Sequence, residues 1–180
     1  MLQDEELVQA YRDGDPSAFE ALFERHRSRV FHFVLRMIGN RAEAEEVFQD
    51  IFLRVHRKLD RYESQGQFSA WLFSVANRMC LDALRKRKRE RWLSFGIKTE
   101  DPVANSDPER ELYEDQIRVK VMREVDRLEK NLKQVFLLRI EGNLMFREIA
   151  EVLKIPLNTA LAHYHQAVSR LKEAMKAEMV

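Results

Sequence analysis

Six of the seven residues from Arg85 to Arg91 are basic, closing a stretch, LDALRKRKRER, that ends a helically patterned segment. Guanidinium and ammonium groups at that density attract phosphate; by themselves they cleave and transfer nothing. Upstream, Trp71, Arg78 and Arg85 recur at i, i+7 and i+14, with Ser74 and Asn77 beside them on a mostly polar arc. A flat aromatic ring followed by cations suits unstacked bases next to a phosphate backbone. It also suits a solvated helix end whose tryptophan merely covers the rim of a core.

Two further faces could do chemistry. Val47, Phe48, Ile51, Phe52, Val55 and Leu59 share one side of the preceding helix, while Leu53 projects from the other among Glu46, Gln49, Asp50 and Arg57. An apolar anchor ringed by polar groups is what a protein partner uses, although a lone exposed leucine is ordinary. In the last helix, Ala160, Tyr164, Ala167, Val168, Leu171 and Met175 point inward, and Thr159, Ala162, His163, Gln166, Ser169 and Arg170 point outward. Gln can pair with adenine, and Thr or Ala methyls can touch thymine methyls. That face is poor in fixed charge, so tight DNA binding by it alone is not expected.

The chain has no glycine-rich phosphate loop and no nucleophile elbow, so it is not expected to be an enzyme or to need a cofactor. His163 and His165 are two apart and diverge around the helix, and Cys80 is the single cysteine, so no metal site or disulfide framework is expected. Cys80 falls on an inner arc and reads as an inert buried thiol.

These faces need helices to hold them. Only five Gly and four Pro in 180 residues, with abundant Leu, Ala, Glu, Arg and Lys, predict an all-α chain. Gly14, Asp15 and Pro16 punctuate the first two helices, and Gly39 stops the second. Asn40, with Glu43 three residues on, predicts a capping box on the third. A fourth runs from Phe68 into the basic tract. SFGIKTEDPVANSDPE (94–109), with Gly96, two prolines and four acids, reads as an extended acidic linker. Helical spacing then resumes, and FREIAEVLK meets PLNTALAHYHQ across a turn tight enough for a helix-turn-helix. The expected organisation is therefore two small helical domains, 1–93 and 112–180, joined by a linker at 94–111.

Net charge is only +1, but it is unevenly spread: 18 basic against 15 acidic side chains in 1–98, and 13 against 15 in 99–180. The acidic opening MLQDEELVQA lacks the apolar core of a signal peptide, and no run is long enough to span a membrane. A soluble cytoplasmic protein without membrane insertion is expected.

Taken in order, these segments resemble bacterial sigma factors of the extracytoplasmic-function branch. GNRAEAEEVFQDIFLRVHRKLDRYESQGQFSAWLFSVANRMCLDALRKRKR is similar to that family's promoter-melting domain, and LKQVFLLRIEGNLMFREIAEVLKIPLNTALAHYHQAVSRLKEA to its C-terminal helix-turn-helix domain. The resemblance implies that Glu46, Gln49, Asp50, Leu53 and Arg54 meet core RNA polymerase, whose beta and beta-prime subunits are the expected partners. It implies that the loop ESQGQF, with Gln65, Gln67 and Phe68, receives a base flipped from the −10 element. Trp71, Asn77, Arg78, Arg85, Lys86, Arg87 and Lys88 would hold the opened strand and upstream phosphates. Arg147, Thr159, Ala162, His163, Gln166 and Arg170 would face the −35 element. Promoter DNA and an anti-sigma factor complete the implied partners.

The chain departs from the family pattern in places. Asn77-Arg78 stands where Arg-Asn is usual, Met145 where Ser or Thr caps a helix, and Lys154 and Asn158 where the turn commonly has glycine. Leu161, His163, Gln166, Val168 and Ser169 replace lysines or arginines, which predicts weakened −35 contact, strengthening as histidines protonate at lower pH. The alternative is a sigma-like regulator that works mainly through protein contacts.

Overall fold

The computed structural model describes residues 2–63, 66–93 and 114–177, with the side chains of 114–119 and 177 excepted. The described residues form helices and connecting turns, without a strand. The chain divides into two compact units, Met1–Asp101 and Pro102–Val180. The division falls within the expected linker, and 94–111, including its expected extended form, lies outside the described residues.

The first unit contains α1 (Asp4–Arg12), α2 (Ser17–Ile38), α3 (Arg41–Lys58), a 3-10 turn at Leu59–Arg61, and α4 (Phe68–Leu93). Asp4, Glu5 and Glu6 fill the first turn of α1, where carboxylates oppose the positive end of the helix dipole. Asp15 ends the turn that follows: its Oδ1 accepts the Ser17 N–H at 2.9 Å and the Ser17 hydroxyl at 2.6 Å, capping α2. Gly39 closes α2 in the left-handed region at φ +76°, its N–H donating to the Leu35 carbonyl at 2.8 Å. That sharp stop sends α3 back along α2.

The core of this unit is the meeting of α2, α3 and α4: Leu22, Val30, Phe33 and Val34 face Ile51 and Val55, with Leu72, Phe73, Ala76 and Cys80 closing the third side. Each such aliphatic or aromatic side chain contributes about 1.5–3 kcal/mol by leaving water. Cys80 is fully buried, and burial, assisted by the nearby Glu43 charge, pushes its thiol up to about 12. The thiolate is therefore negligible at neutral pH.

α1 is fastened to this bundle by a polar joint. Asp4 Oδ1 receives Arg25 Nη1 at 2.6 Å, and Asp4 Oδ2 lies 2.9 Å from Nε2 of the buried His26. Burial alone would raise the Asp4 carboxyl; the hydrogen bond and charge of His26, followed by those of Arg25, outweigh it and hold the carboxyl below its ordinary 3.8.

The second unit contains α5 (Glu114–Asp126), α6 (Lys130–Ile140), α7 (Phe146–Leu153) and α8 (Leu157–Ala177). Leu132, Val135, Leu137, Leu138, Leu144, Ile149, Ala160, Ala167 and Leu171 make its core. Met145 begins α7 without the hydroxyl cap usual there; Glu148 Oε2 instead accepts the Met145 N–H at 2.6 Å, so one orphan donor is still satisfied. Between α7 and α8, Lys154 adopts φ +56°, and the Ile155 N–H donates to the Ala150 carbonyl at 3.0 Å. A left-handed backbone at a residue with a Cβ costs about 1–2 kcal/mol.

Two measurements check these joints. Asp4→Asn is expected to lower stability by about 1–2 kcal/mol near neutral pH. Because the folded carboxyl is depressed, its stabilisation is full above the ordinary value and lost as pH falls through the lowered one. The gap between wild type and variant should therefore close in acid denaturation below pH 3.8. Lys154→Gly removes the Cβ penalty but adds unfolded-state entropy, so a net gain of about 0.5–1 kcal/mol is expected. It would be read as slower hydrogen exchange of the α7 and α8 amides; faster exchange would contradict it.

Candidate nucleic-acid and protein interface

The rotation of α3 determines what it offers outward. Ala44, Val47, Ile51, Phe52 and Val55 are buried, and this inner stripe leaves Glu46, Gln49, Asp50, Leu53 and Arg54 exposed together. Leu53 is 55 % exposed, and turning it inward would drive Phe52 into water. All five polymerase-face residues expected from the sequence thus share one accessible surface. An open groove of about 500 Å³ runs beside them between α3 and α4, lined by Glu46, Asp50, Arg54, Met79, Lys86 and Arg87 among others.

The expected capping box on α3 is only half formed. Asn40 Oδ1 accepts the Glu43 N–H at 2.9 Å, but the Glu43 carboxylate reaches across to α4, where its Oε2 lies 3.1 Å from Arg87 Nη1. The same Arg87 nitrogen donates to the Ile38 carbonyl at 3.1 Å. A guanidinium offers a stronger partner than a backbone amide, and Glu43 takes it.

This interaction splits the basic run. Arg87 is thus engaged at the α2–α3–α4 junction, with about a third of its side chain exposed. Arg85, Lys86, Lys88 and Arg89 are exposed. Arg85 pairs with Asp82 at 3.1 Å and Lys86 with Glu90 at 3.9 Å, both in solvent on the same helix. Such pairs contribute a few tenths of a kcal/mol and exchange readily for phosphate.

Further along α4, Arg78 is exposed and Trp71 half-buried. The Trp71 ring leans on Tyr62, with centroids 4.9 Å apart, and on Phe68 at 5.7 Å. Two expected DNA contacts need correction here. Phe68 is 3 % exposed, its ring packed against His26 as well as Tyr62, and Asn77 is 5 % exposed. At about 100° per residue, Asn77 lies about 120° around the helix from Trp71. α4 is covered by both α2 and α3, so its buried arc reaches beyond Phe68, Leu72 and Ala76 to take in Phe73, Asn77 and Cys80. The i, i+4, i+7 spacing of those three was the signal for the wider arc. Val75, Met79 and Ala83 are only half-buried. Gln67 is half-buried at the start of α4, and Gln65 lies outside the described residues.

In the second unit, Arg147 is exposed on α7; Ala162, Gln166 and Arg170 are exposed on α8, while Thr159 and His163 are half-buried. Nδ1 of His163 is enclosed, so this histidine is less of a surface group than its spacing predicted. Arg170 pairs with Glu129 at 3.0 Å, further reducing the net charge of the face. Among the described residues, no cluster of three or more His, Cys, Asp or Glu is placed to hold a metal ion, and no helix is long and apolar enough to cross a membrane.

The division of the basic run has a measurable consequence. Arg87→Ala should lower the stability of the first unit by about 1–3 kcal/mol, because Glu43 and the Ile38 carbonyl lose a partly buried partner. Lys88→Ala should change it by less than about 0.5 kcal/mol. Urea denaturation followed by tryptophan fluorescence distinguishes them, since both tryptophans belong to this unit; equal effects would contradict the assignment.

Known proteins carry the same two parts. Residues 22–90 match the model of sigma-70 region 2, and residues 118–171 match that of sigma-70 region 4. The RNA polymerase sigma factor CarQ of Myxococcus xanthus is 31 % identical over 169 residues, covering 93 % of this chain and 95 % of CarQ. The ECF RNA polymerase sigma factor SigW of Bacillus subtilis is 24 % identical over 177 residues, covering 94 % of this chain and 95 % of SigW. The fold is similar to that of the sigma factor RpoE, crystallised with the anti-sigma factor NepR from Bartonella quintana. That match has a TM-score of 0.76 at 20 % identity and covers 88 % of this chain and 96 % of the other. With a region 2 unit bearing the α3 and α4 faces and a region 4 unit bearing the helix-turn-helix, the chain belongs to the extracytoplasmic-function branch of the sigma-70 family of RNA polymerase sigma factors, DNA-binding regulators of promoter-directed transcription initiation.

Proposed function

We propose that the protein docks on core RNA polymerase, at its beta and beta-prime subunits, through the outer face of α3. The same unit then recognises and opens the −10 element with α4 and the loop preceding it. The observation that carries this reading is Leu53, a 55 % exposed leucine set among exposed Glu46, Gln49, Asp50 and Arg54. An apolar anchor with a polar rim is the anatomy of a protein interface. Trp71, Arg78, Arg85, Lys86 and Lys88 continue from that anchor's neighbour helix as an aromatic and basic surface for a melted strand. Gln65 and Gln67 belong to the loop in which a flipped base is read, where exchange of stacking for pocket contacts sets the preference.

In the second unit, Arg147, Thr159, Ala162, Gln166 and Arg170 address the −35 element in the major groove, with His163 at the edge of that set. The pairing of Arg170 with Glu129 and the enclosure of His163 favour a second reading of this unit, in which protein contacts outweigh DNA contacts. An anti-sigma factor is a further proposed partner, supported by the fold shared with the NepR-bound RpoE. The protein would act in the cytoplasm, where the polymerase is.

Transcription in vitro with purified core polymerase tests the main reading: RNA should start at defined sites, and Leu53→Asp should abolish those starts by preventing association. Removing three phosphate-binding cations with Arg85→Ala, Lys86→Ala and Lys88→Ala should lower promoter affinity and reduce the slope of log affinity against log salt by about 2–3. An unchanged slope would return the run to a solvated helix end. Truncation at the linker separates the two readings of the second unit: loss of −35 dependence supports DNA contact, and unchanged promoter selection supports protein contact.

A further inference from the structure

One carboxylate in α1 spans the two ends of the loop that precedes α4. Glu5 Oε1 accepts the Tyr62 hydroxyl at 2.8 Å and the Phe68 backbone N–H at 3.1 Å. Phe68 opens α4, so Glu5 caps that helix from outside its own sequence and places a negative charge at the positive end of the dipole. Tyr62 is the last described residue but one before 64–65, and it is buried, so its hydroxyl needs a partner; Glu5 supplies it. Arg12, at the other end of α1, donates to the Leu59 carbonyl at 3.3 Å and also to the Tyr62 carbonyl. A single helix thus grips the segment where the loop leaves the 3-10 turn and the point where it enters α4. Tyr62 in turn forms a three-ring cluster with Phe68 and Trp71, so the position of the Tyr62 ring sets the tilt of Trp71.

We infer that Glu5 is a positioning residue for base selection at the −10 element: by holding Tyr62 and the first turn of α4 together, it sets the tilt of Trp71. The inference rests on the proposed role of Trp71 and α4 in holding the opened strand. Glu5 touches no base in this scheme. Its effect is on which base is accepted beside Trp71, not on whether polymerase binds, because Glu5, Tyr62 and Phe68 are not among the α3 side chains proposed to dock on polymerase.

The test uses the full chain in holoenzyme, with a panel of promoters carrying each base in turn along the −10 element. Glu5→Ala removes both bonds, Tyr62→Phe removes only the hydroxyl, and Glu5→Gln keeps the accepting oxygen while removing the charge. Val34→Ala, a cavity variant in the core of α2, provides a matched loss of stability that leaves the joint intact. Glu5→Ala and Tyr62→Phe are expected to flatten discrimination between the best and worst base by about three- to tenfold, with less than twofold change in affinity for core polymerase. Glu5→Gln should restore most of the discrimination, and Val34→Ala should leave it intact. The double variant Glu5→Ala/Tyr62→Phe should be no worse than Glu5→Ala, as expected when one bond is shared. Base preferences of Glu5→Ala and Tyr62→Phe that superimpose on wild type, or a Val34→Ala profile flattened as much as theirs, overturn the inference while leaving promoter-directed transcription standing. Failure of the wild-type protein to start RNA at defined sites removes the functional reading first, and the inference with it.

Discussion

Phe73 of α4 meets Phe33 of α2 edge to face, ring centroids 5.5 Å apart, and neither ring touches solvent. That contact fixes the rotation of α4, and the rotation decides which α4 side chains the outside can reach. With Phe73, Ala76, Asn77 and Cys80 turned in, Arg78 and Arg85 must point out, and Trp71 is left at the edge. Close packing makes the arrangement nearly discrete: a rotation by one residue would move Phe73 or Leu72 toward water, at a cost of about 1.5–3 kcal/mol for each large side chain exposed. An exposed surface whose chemistry is mostly long, flexible cations is thus held in register by an apolar contact on the far side of its helix.

The same economy governs the charges. Glu43 and Arg87 lie where α3 and α4 converge, and each gives up a role that its local sequence suggests: Glu43 the return bond of a capping box, Arg87 a place in the phosphate-binding run. Together they join α3 to α4. Unlike the solvated pairs at Arg85 and Lys86, the Glu43–Arg87 pair is partly shielded, which makes it less sensitive to salt. Salt strong enough to strip phosphate from the exposed cations would therefore leave the interhelix joint largely intact.

Helical periodicity made the fold and most of the outward faces readable before any coordinates, because one-dimensional spacing maps directly onto one side of a helix. Leu53 and its polar neighbours were legible for that reason, as were the caps at Asp15, Gly39 and Asn40. Asn77 was misplaced because the wheel shows where a residue points but not how wide an arc its neighbours cover; α4 is flanked by two helices, and its buried sector is correspondingly broad. The division of the basic run was invisible for a different reason. Nothing local separates Arg87 from Lys86 or Lys88, and its partner Glu43 lies forty-four residues away. The Glu5 joint shares that character: its partners are fifty-seven and sixty-three residues distant, and only the tertiary fold brings them to one oxygen.

The second unit has less fixed charge on its outer face than its fold would lead one to expect, and the covalent connection to the first unit changes what that means. A domain that binds weakly by itself need not bind tightly when its partner domain is already held near the same DNA, since the second contact becomes intramolecular and its effective concentration can reach the millimolar range. Under that constraint, and in the proposed −35 role, a few polar and methyl contacts from Thr159, Ala162 and Gln166 would still discriminate between sequences at about 1–3 kcal/mol per well-matched pair, even without the counterion release that a row of lysines would provide. Under the proposed function low charge would then carry an advantage: separated from polymerase, this unit would have little electrostatic hold on arbitrary DNA, so occupancy would depend on assembly, not on charge alone.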